Sequence, residues 1–503
     1  MSNLLYILIF LPILASIAIA LGAPARLSAI GAALVNLAIS LFLFASFDST
    51  AAGYQFAASF PVIPSPEISL SVGLDGMSLV MVLLTAIVTL CAVWVSPKQV
   101  EGSLGLYYCS SLLISAGGLG AFCATDLFFF YAFHELALIP TFLMIGIWGT
   151  GARKMVAWKI TIYLGLGSVI LLAGLLALFI NLGGKSFDMA TMQAAVAAAE
   201  LPATTQAWIF LTLLIGFGIL ISLFPFHSWA APAYASAPTP TSMLHAGVLK
   251  KFGLYGLLRV AVPMLPGGIN TPLPLPLLGE ITVLDLMLWL LLGNIIVIGL
   301  VTIAQKDLDL MLGNSSVMHM GYVFLGIASY NSIGFSGAVV LMFGHGISIA
   351  LLFALAGRIR EHTGTLTISR LGGFGKLAPF LGLTFAFAAF ASIGLPGFAN
   401  FAGEVAVFLG AFKGAGTEIT FLQGATIVAL WGVVISAVYM LRAYRSVFKG
   451  EPHEGATMPD LTFSQRIPVL ILVASLLIVG LYPPILLDKI KPGIELIAKA
   501  FAE

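Results

Sequence analysis

Again and again along this chain, about twenty residues pass with scarcely a charged side chain, and that run length constrains any fold. At about 1.5 Å per residue, twenty helical residues cover about 30 Å, the thickness of a bilayer's hydrocarbon layer. Fourteen such segments can be counted, at approximately 4–22, 27–47, 76–95, 106–123, 125–147, 157–181, 207–226, 241–262, 283–303, 311–329, 333–357, 379–411, 420–441 and 466–486. Only 9% of the 503 residues are charged against 60% hydrophobic, and the mean hydropathy is +1.08. A water-exposed surface needs more polar cover than that, so the chain reads as a polytopic membrane protein. The runs are rich in Gly, Ala and Leu and lack the two-residue alternation of a membrane barrel. Their backbone groups must then be satisfied inside helices, and the expected class is all-α with about fourteen transmembrane helices.

The loops give the sidedness. Counting crossings from the N-terminus, one side holds Lys185, Lys413, Lys489, Lys491 and Lys499. The other holds Arg26, Lys98, Arg153, Lys154, Lys306, Arg358, Arg360, Arg370, Lys376, Arg442, Arg445, Lys449 and Arg466. Thirteen against five predicts that both termini lie on the non-cytoplasmic face, since basic loops stay inside. The net charge of +1 points to no nucleic-acid partner. Cys91, Cys109 and Cys123 sit in apolar stretches without metal or redox spacing and read as packing residues. The first segment has no basic leader and ends in Gly22-Ala23-Pro24-Ala25-Arg26, so it reads as a retained helix.

Ionisable groups inside the apolar runs are the functional candidates. A charge at mid-bilayer costs about 2.5–3.5 kcal/mol on insertion scales, so such groups pair, neutralise or face a wet interior, and mark ion paths by default. Glu135 lies near the middle of the fifth segment; a protonated glutamate bonding two helices is the bland alternative. Lys250 and Lys251 are adjacent near the middle of the eighth, about 100° apart around the helix, so at least one should face the bundle interior. Lys159 and Arg259 lie nearer helix ends, where a snorkelling anchor is an equal reading. His345 and His245 fall inside the eleventh and eighth segments, and His227 and His319 flank span ends. Imidazoles suit a proton relay, although any one of them also reads as a packing residue. Asp285, near a span end, reads as structural.

Two segments carry breaks. The seventh runs into Phe224-Pro225-Phe226-His227, and the twelfth into Gly394-Leu395-Pro396-Gly397, with Glu404 just beyond. Pro removes a backbone donor and Gly loosens the helix, so Pro225, Pro396 and Gly397 predict discontinuous helices. The breaks lie five segments apart. If segments four to eight repeat as nine to thirteen, the odd number inverts the second copy in the membrane, a pattern that points to an ion path. The expected organisation is a three-helix segment over 1–105, a five-helix repeat over 106–262, its inverted copy over 283–441, and a loop, last helix and tail over 442–503.

At these residues the sequence resembles the antiporter-like membrane subunits of respiratory complex I, most closely their M-type branch. The matching stretches include Gly73-Leu74-Asp75-Gly76, the Glu135 segment with Gly146-Ile147-Trp148-Gly149, Pro225-Phe226-His227-Ser228-Trp229 and Ala246-Gly247-Val248-Leu249-Lys250-Lys251. Beyond them come Ser315-Ser316-Val317-Met318-His319, Gly344-His345-Gly346, Asn400-Phe401-Ala402-Gly403-Glu404 and Tyr439-Met440-Leu441-Arg442. They run in order over roughly residues 70 to 450. The resemblance implies a fourteen-helix fold with two inverted five-helix repeats and a proton path through Glu135, Lys251, His319, His345 and Glu404. Two departures stand out. Leu220 occupies the place of the family's seventh-helix lysine, which pairs with the glutamate, leaving Lys159 or Lys250 as possible substitutes. Family basic residues after Gln305 are replaced by Asp309 and Leu310.

The function so implied is that of a proton-translocating subunit of an NADH-quinone oxidoreductase, with no redox centre in this chain. NADH, FMN, iron–sulfur clusters and quinone would belong to other subunits. Partners would be L-, N- and K-type membrane subunits, the peripheral redox arm reached through them, and the lipid of a bacterial plasma membrane. A subunit of a cation/proton antiporter or membrane-bound hydrogenase, or a non-conducting structural subunit, are the alternatives.

Overall fold

A computed structural model describes residues 3–51, 53–199, 201–275, 279–413, 418–452 and 457–499. Every one of the fourteen apolar segments is helical over most of its length. Eleven helices among the described residues are long and apolar enough to cross a membrane, and Leu4–Ala20, Pro379–Ile393 and Ala399–Phe412 are shorter apolar helices. Several helices outrun the apolar text. The sixth begins at Arg153 and the thirteenth continues to Phe448, because Lys and Arg are good helix formers once a helix passes the bilayer edge. The tail contains its own helix, Pro484–Lys499, which turns Ile490 and Ile494 inward and Lys491 and Glu495 outward. Outside the helices lie two hairpins, Gln55–Pro64 with Glu67–Leu74 and Pro272–Leu275 with Gly279–Thr282, minor additions to an all-α design.

The eleventh helix, Ser332–Thr363, is buried along its whole apolar length. Apolar attraction cannot hold helices together in lipid, so close approach of small residues must. Gly337, Gly344, Gly403 and Gly410 supply it. A Cβ on Gly403 would sit 2.7 Å from Leu341 N, and one on Gly337 would sit 2.6 Å from Val407 N. The eleventh helix and the second half of the twelfth therefore touch backbone to backbone.

Both interrupted helices stop the same way. The seventh, Ala203–Ile221, ends at Ser222 with φ 69°, and chain resumes as helix at Ala230–Ser236. The twelfth, Pro379–Ile393, ends at Gly394 with φ 82° and resumes at Ala399–Phe412. A left-handed residue turns the chain out of the helix, and the prolines that follow cannot rejoin the ladder. Asn294 on the ninth segment braces the first break, donating to Ser222 O (3.2 Å) and Val317 O (2.8 Å) and accepting from Phe224 N (2.5 Å).

A second device also occurs twice. Asp126 caps the fifth helix by accepting from Phe128 N and Phe129 N at 2.9 and 3.1 Å, and pairs as a lone antiparallel bridge with Asp188, just past the sixth helix. Asp307 caps the tenth helix by accepting from Asp309 N and Leu310 N at 3.1 and 3.3 Å, and bridges to Thr367, just past the eleventh.

Candidate functional site

The eighth segment, residues 239–264, is helix interrupted by two π stretches, His245–Leu249 and Leu257–Ala261. Each wider turn adds a residue and shifts the side chains after it around the axis. Lys250 and Lys251 follow the first stretch, and both are buried, facing different neighbours. Lys251 Nζ donates to Ala246 O at 2.5 Å and lies 2.9 Å from His345 Nδ1 on the eleventh helix. Lys250 Nζ lies 3.4 Å from Ser316 Oγ on the tenth and 5.6 Å from the centre of the Tyr234 ring.

From Lys251 the ionisable groups continue as a row. The His345 and His319 rings are 5.8 Å apart between centroids. His319 Nδ1 stands 3.9 Å from Glu404 Oε1, and its Nε2 lies 3.3 Å from the Tyr439 hydroxyl, which is 2.7 Å from Ser315 Oγ. Lys251, His345, His319 and Glu404 come from the eighth, eleventh, tenth and twelfth segments, and all are buried. Glu404 sits against the helix break, where a Cβ on Gly394 would collide with its carboxylate. Only a glycine leaves room there, and its positive φ is one that glycine adopts without penalty.

Glu135 lies apart from that row. Its side chain is 37% exposed, accepts a short hydrogen bond from Ser168 of the sixth helix, and stands 3.6 Å from His134 Nδ1. His134 is buried and stacked on Phe252, with ring centroids 4.1 Å apart. Among the described residues no ion pair joins Glu135 to a lysine. Lys159 instead donates to Ser228 O at 2.8 Å, at the seventh-segment break, where Tyr163 OH is 2.9 Å from Ser228 Oγ. Leu220 is buried beside Gly167, the residue before Ser168.

The remaining histidines divide. His245 is buried between the Trp229 and Tyr234 rings, 5.6 and 5.7 Å away, and neither ring nitrogen has a protein partner among the described residues. His227 stacks on Phe224 at 5.6 Å beside the break. Arg259, which could have been an anchor at the bilayer edge, forms a buried ion pair with Asp75 at 2.6 Å and receives support from Tyr255 OH at 3.1 Å. Asp309 forms an ion pair with Arg360, and Asp285 holds Thr282 at the start of the ninth helix. Sequence reasoning passed over Ser168 and Asn294, and gave Ser316 and Tyr439 no role beyond their place in matching stretches. A hydroxyl or amide in an apolar run was the available signal, but such groups are common and most bond their own helix.

A helical membrane bundle with two interrupted helices and a buried row of lysine, histidine and glutamate defines a polytopic protein built around an ionisable interior. The family model described as "NADH:quinone oxidoreductase/Mrp antiporter, TM" matches residues 124–429, and the chain belongs to this family. It is 35% identical over 448 residues to NAD(P)H-quinone oxidoreductase chain 4 3 of Picosynechococcus sp., covering 88% of this chain and 78% of that one. It is 33% identical over 465 residues to NADH-quinone oxidoreductase subunit M of Rickettsia bellii, covering 92% and 90%. A chain in the structure titled "Respiratory complex I from Thermus thermophilus with bound NADH" superposes with a TM-score of 0.88 at 29% identity over 99% of both chains. The Mrp complex of Dietzia sp. matches in fold alone, with a TM-score of 0.82 at 20% identity over 99% of both chains.

Proposed function

We propose that this chain is a proton-translocating membrane subunit of a complex I-type NADH-quinone oxidoreductase. The observation that carries the reading is the buried interior row from Lys251 through His345 and His319 to Glu404. Each member can take and release a proton; the first step is 2.9 Å, the last 3.9 Å, and the two imidazole rings between them are 5.8 Å apart between centroids. Glu404, at a helix break, is the exit group. Protons enter near the seventh and eighth segments, where Lys159, His227, His245 and Lys250 cluster around the first break. Moving one charge against 100 mV costs about 2.3 kcal/mol, so direction must come from quinone reduction elsewhere in the assembly.

The same reading places L-, N- and K-type subunits beside the chain, the NADH-, FMN- and iron–sulfur-bearing arm beyond them, and the whole in a bacterial plasma membrane. On this reading fourteen crossings leave both termini on one side, and the excess of basic residues on the other makes it the non-cytoplasmic side. Two inverted repeats, 106–262 and 283–441, are supported by the doubled αL helix stop and the doubled aspartate bridge.

The test is redox-driven proton uptake in sealed vesicles carrying the assembled complex. Lys251→Met keeps the length of the side chain and removes its proton; coupled pumping should fall about a hundredfold with assembly intact. Unchanged pumping would remove the row from the path. Leu220 gives one specific argument for a second reading, a subunit that tethers its neighbours without conducting. Under that reading Glu135→Gln and Lys251→Met would both be silent.

A further inference from the structure

The chain's basic face carries a cleft of about 800 Å³ that the proton row does not use. Its mouth is lined by Arg26 at the start of the second helix, Lys98 just past the third, and Arg358 and Arg360 near the end of the eleventh. Arg358 is paired with Glu361 at 2.7 Å and Arg360 with Asp309, so four cations against two carboxylates leave two positive charges. Arg26 spends one donor on Trp94 O at 3.1 Å and, like Lys98, has no carboxylate partner among the described residues. The Nε of Arg358 is buried without a protein partner among the described residues. The deeper wall is apolar, formed by Val95, Ala354, Leu355, Pro468 and Val469.

A cleft with a cationic mouth and an apolar wall suits an amphiphile with an anionic head. Its position decides which one. Both the second and the fourteenth helices pack on the third, and Trp94 ties all three together here, donating its Nε1 to Ser464 O at 3.0 Å. Beside the mouth, Leu27 and Phe463 are 71% and 83% exposed, as lipid-facing residues are. We propose that this cleft holds the phosphate headgroup of an anionic phospholipid, with part of an acyl chain against Val95 and Val469. Basic pockets between helix ends bind such headgroups, each Lys or Arg contributing about five-fold in affinity.

The test uses the membrane assembly purified with this chain and phosphatidylglycerol bearing a photoactivatable acyl chain. Labelling should fall on peptides carrying Val95 or Val469, and phosphatidylcholine should not displace it. The Arg26→Gln/Lys98→Gln double variant should weaken it about thirty-fold. Lys98→Gln alone changes an exposed loop residue without touching a packed helix, and should weaken it about five-fold. Displacement by phosphatidylcholine, labelling unaltered in Lys98→Gln, or adducts elsewhere in the chain would overturn the proposal. Displacement by excess inorganic phosphate would do so too, by making this a site for a soluble anion.

Discussion

Glu135 is bonded by a serine, and among the described residues no lysine pairs with it. Where the family resemblance implies a lysine partner, Leu220 packs beside Gly167, and the neighbouring Ser168 hydroxyl bonds the carboxylate. A neutral donor holds a carboxylate less firmly than an ammonium does. Restoring the pair is the direct check. Leu220→Lys tests whether an ammonium at that position reaches Glu135. A double-mutant cycle of Leu220→Lys with Glu135→Gln, read by thermal unfolding of the purified assembly, should give a coupling of roughly 0.5–3 kcal/mol. A coupling near zero would mean that the leucine faces elsewhere. At this scale the sequence was most informative about identity and least about partners. Glu135, Lys251 and Glu404 stand out because a charge in an apolar run is costly wherever it points. That Lys250 turns to Ser316 while Lys251 turns to His345 depends on the π stretch before them, which no residue pattern announces.

The helices themselves were legible because hydropathy and length decide them, and both breaks because Pro and Gly have local effects. Their ends were not. The sixth and thirteenth helices continue past the apolar text on Arg and Lys, which solvate readily while remaining helical. Asn294 illustrates a different limit. Its role as brace of the seventh-segment break exists only once the ninth segment packs there, a contact across 72 residues. The element pair most exposed to mutation is the eleventh helix against the second half of the twelfth, where Gly403 meets Leu341 backbone. Gly403→Leu should force the two apart at a cost of about 1–3 kcal/mol. We expect a lowered melting temperature and, since Glu404 is the next residue, a loss of pumping out of proportion to the loss of assembly. A silent Gly403→Leu would show that this contact tolerates separation.

Across the whole molecule, the proposed sidedness rests on charge alone and can be checked alone. With thirteen basic residues expected on the cytoplasmic face against five on the other, a cysteine placed at Lys185 should react with an impermeant maleimide added to intact cells, and one at Lys449 only after lysis. The reverse pattern would invert every direction assigned to the path. The repeat was visible in sequence only as two breaks five segments apart. The matched aspartate bridges that support it join residues 62 and 60 positions apart, beyond any local pattern. One consequence of the interior row concerns what it can carry. From Lys251 to His319 its proton-binding atoms are nitrogens, and the first carboxylate oxygens come at Glu404. A sodium ion is held by a shell of oxygens, as other hard cations are, and amines and imidazoles offer none. The ionisable groups of the row thus suit proton exchange rather than alkali-metal binding. Replacing sodium with potassium in the vesicle medium should leave redox-driven pumping unchanged, and a sodium requirement would mean that the ions travel by another route.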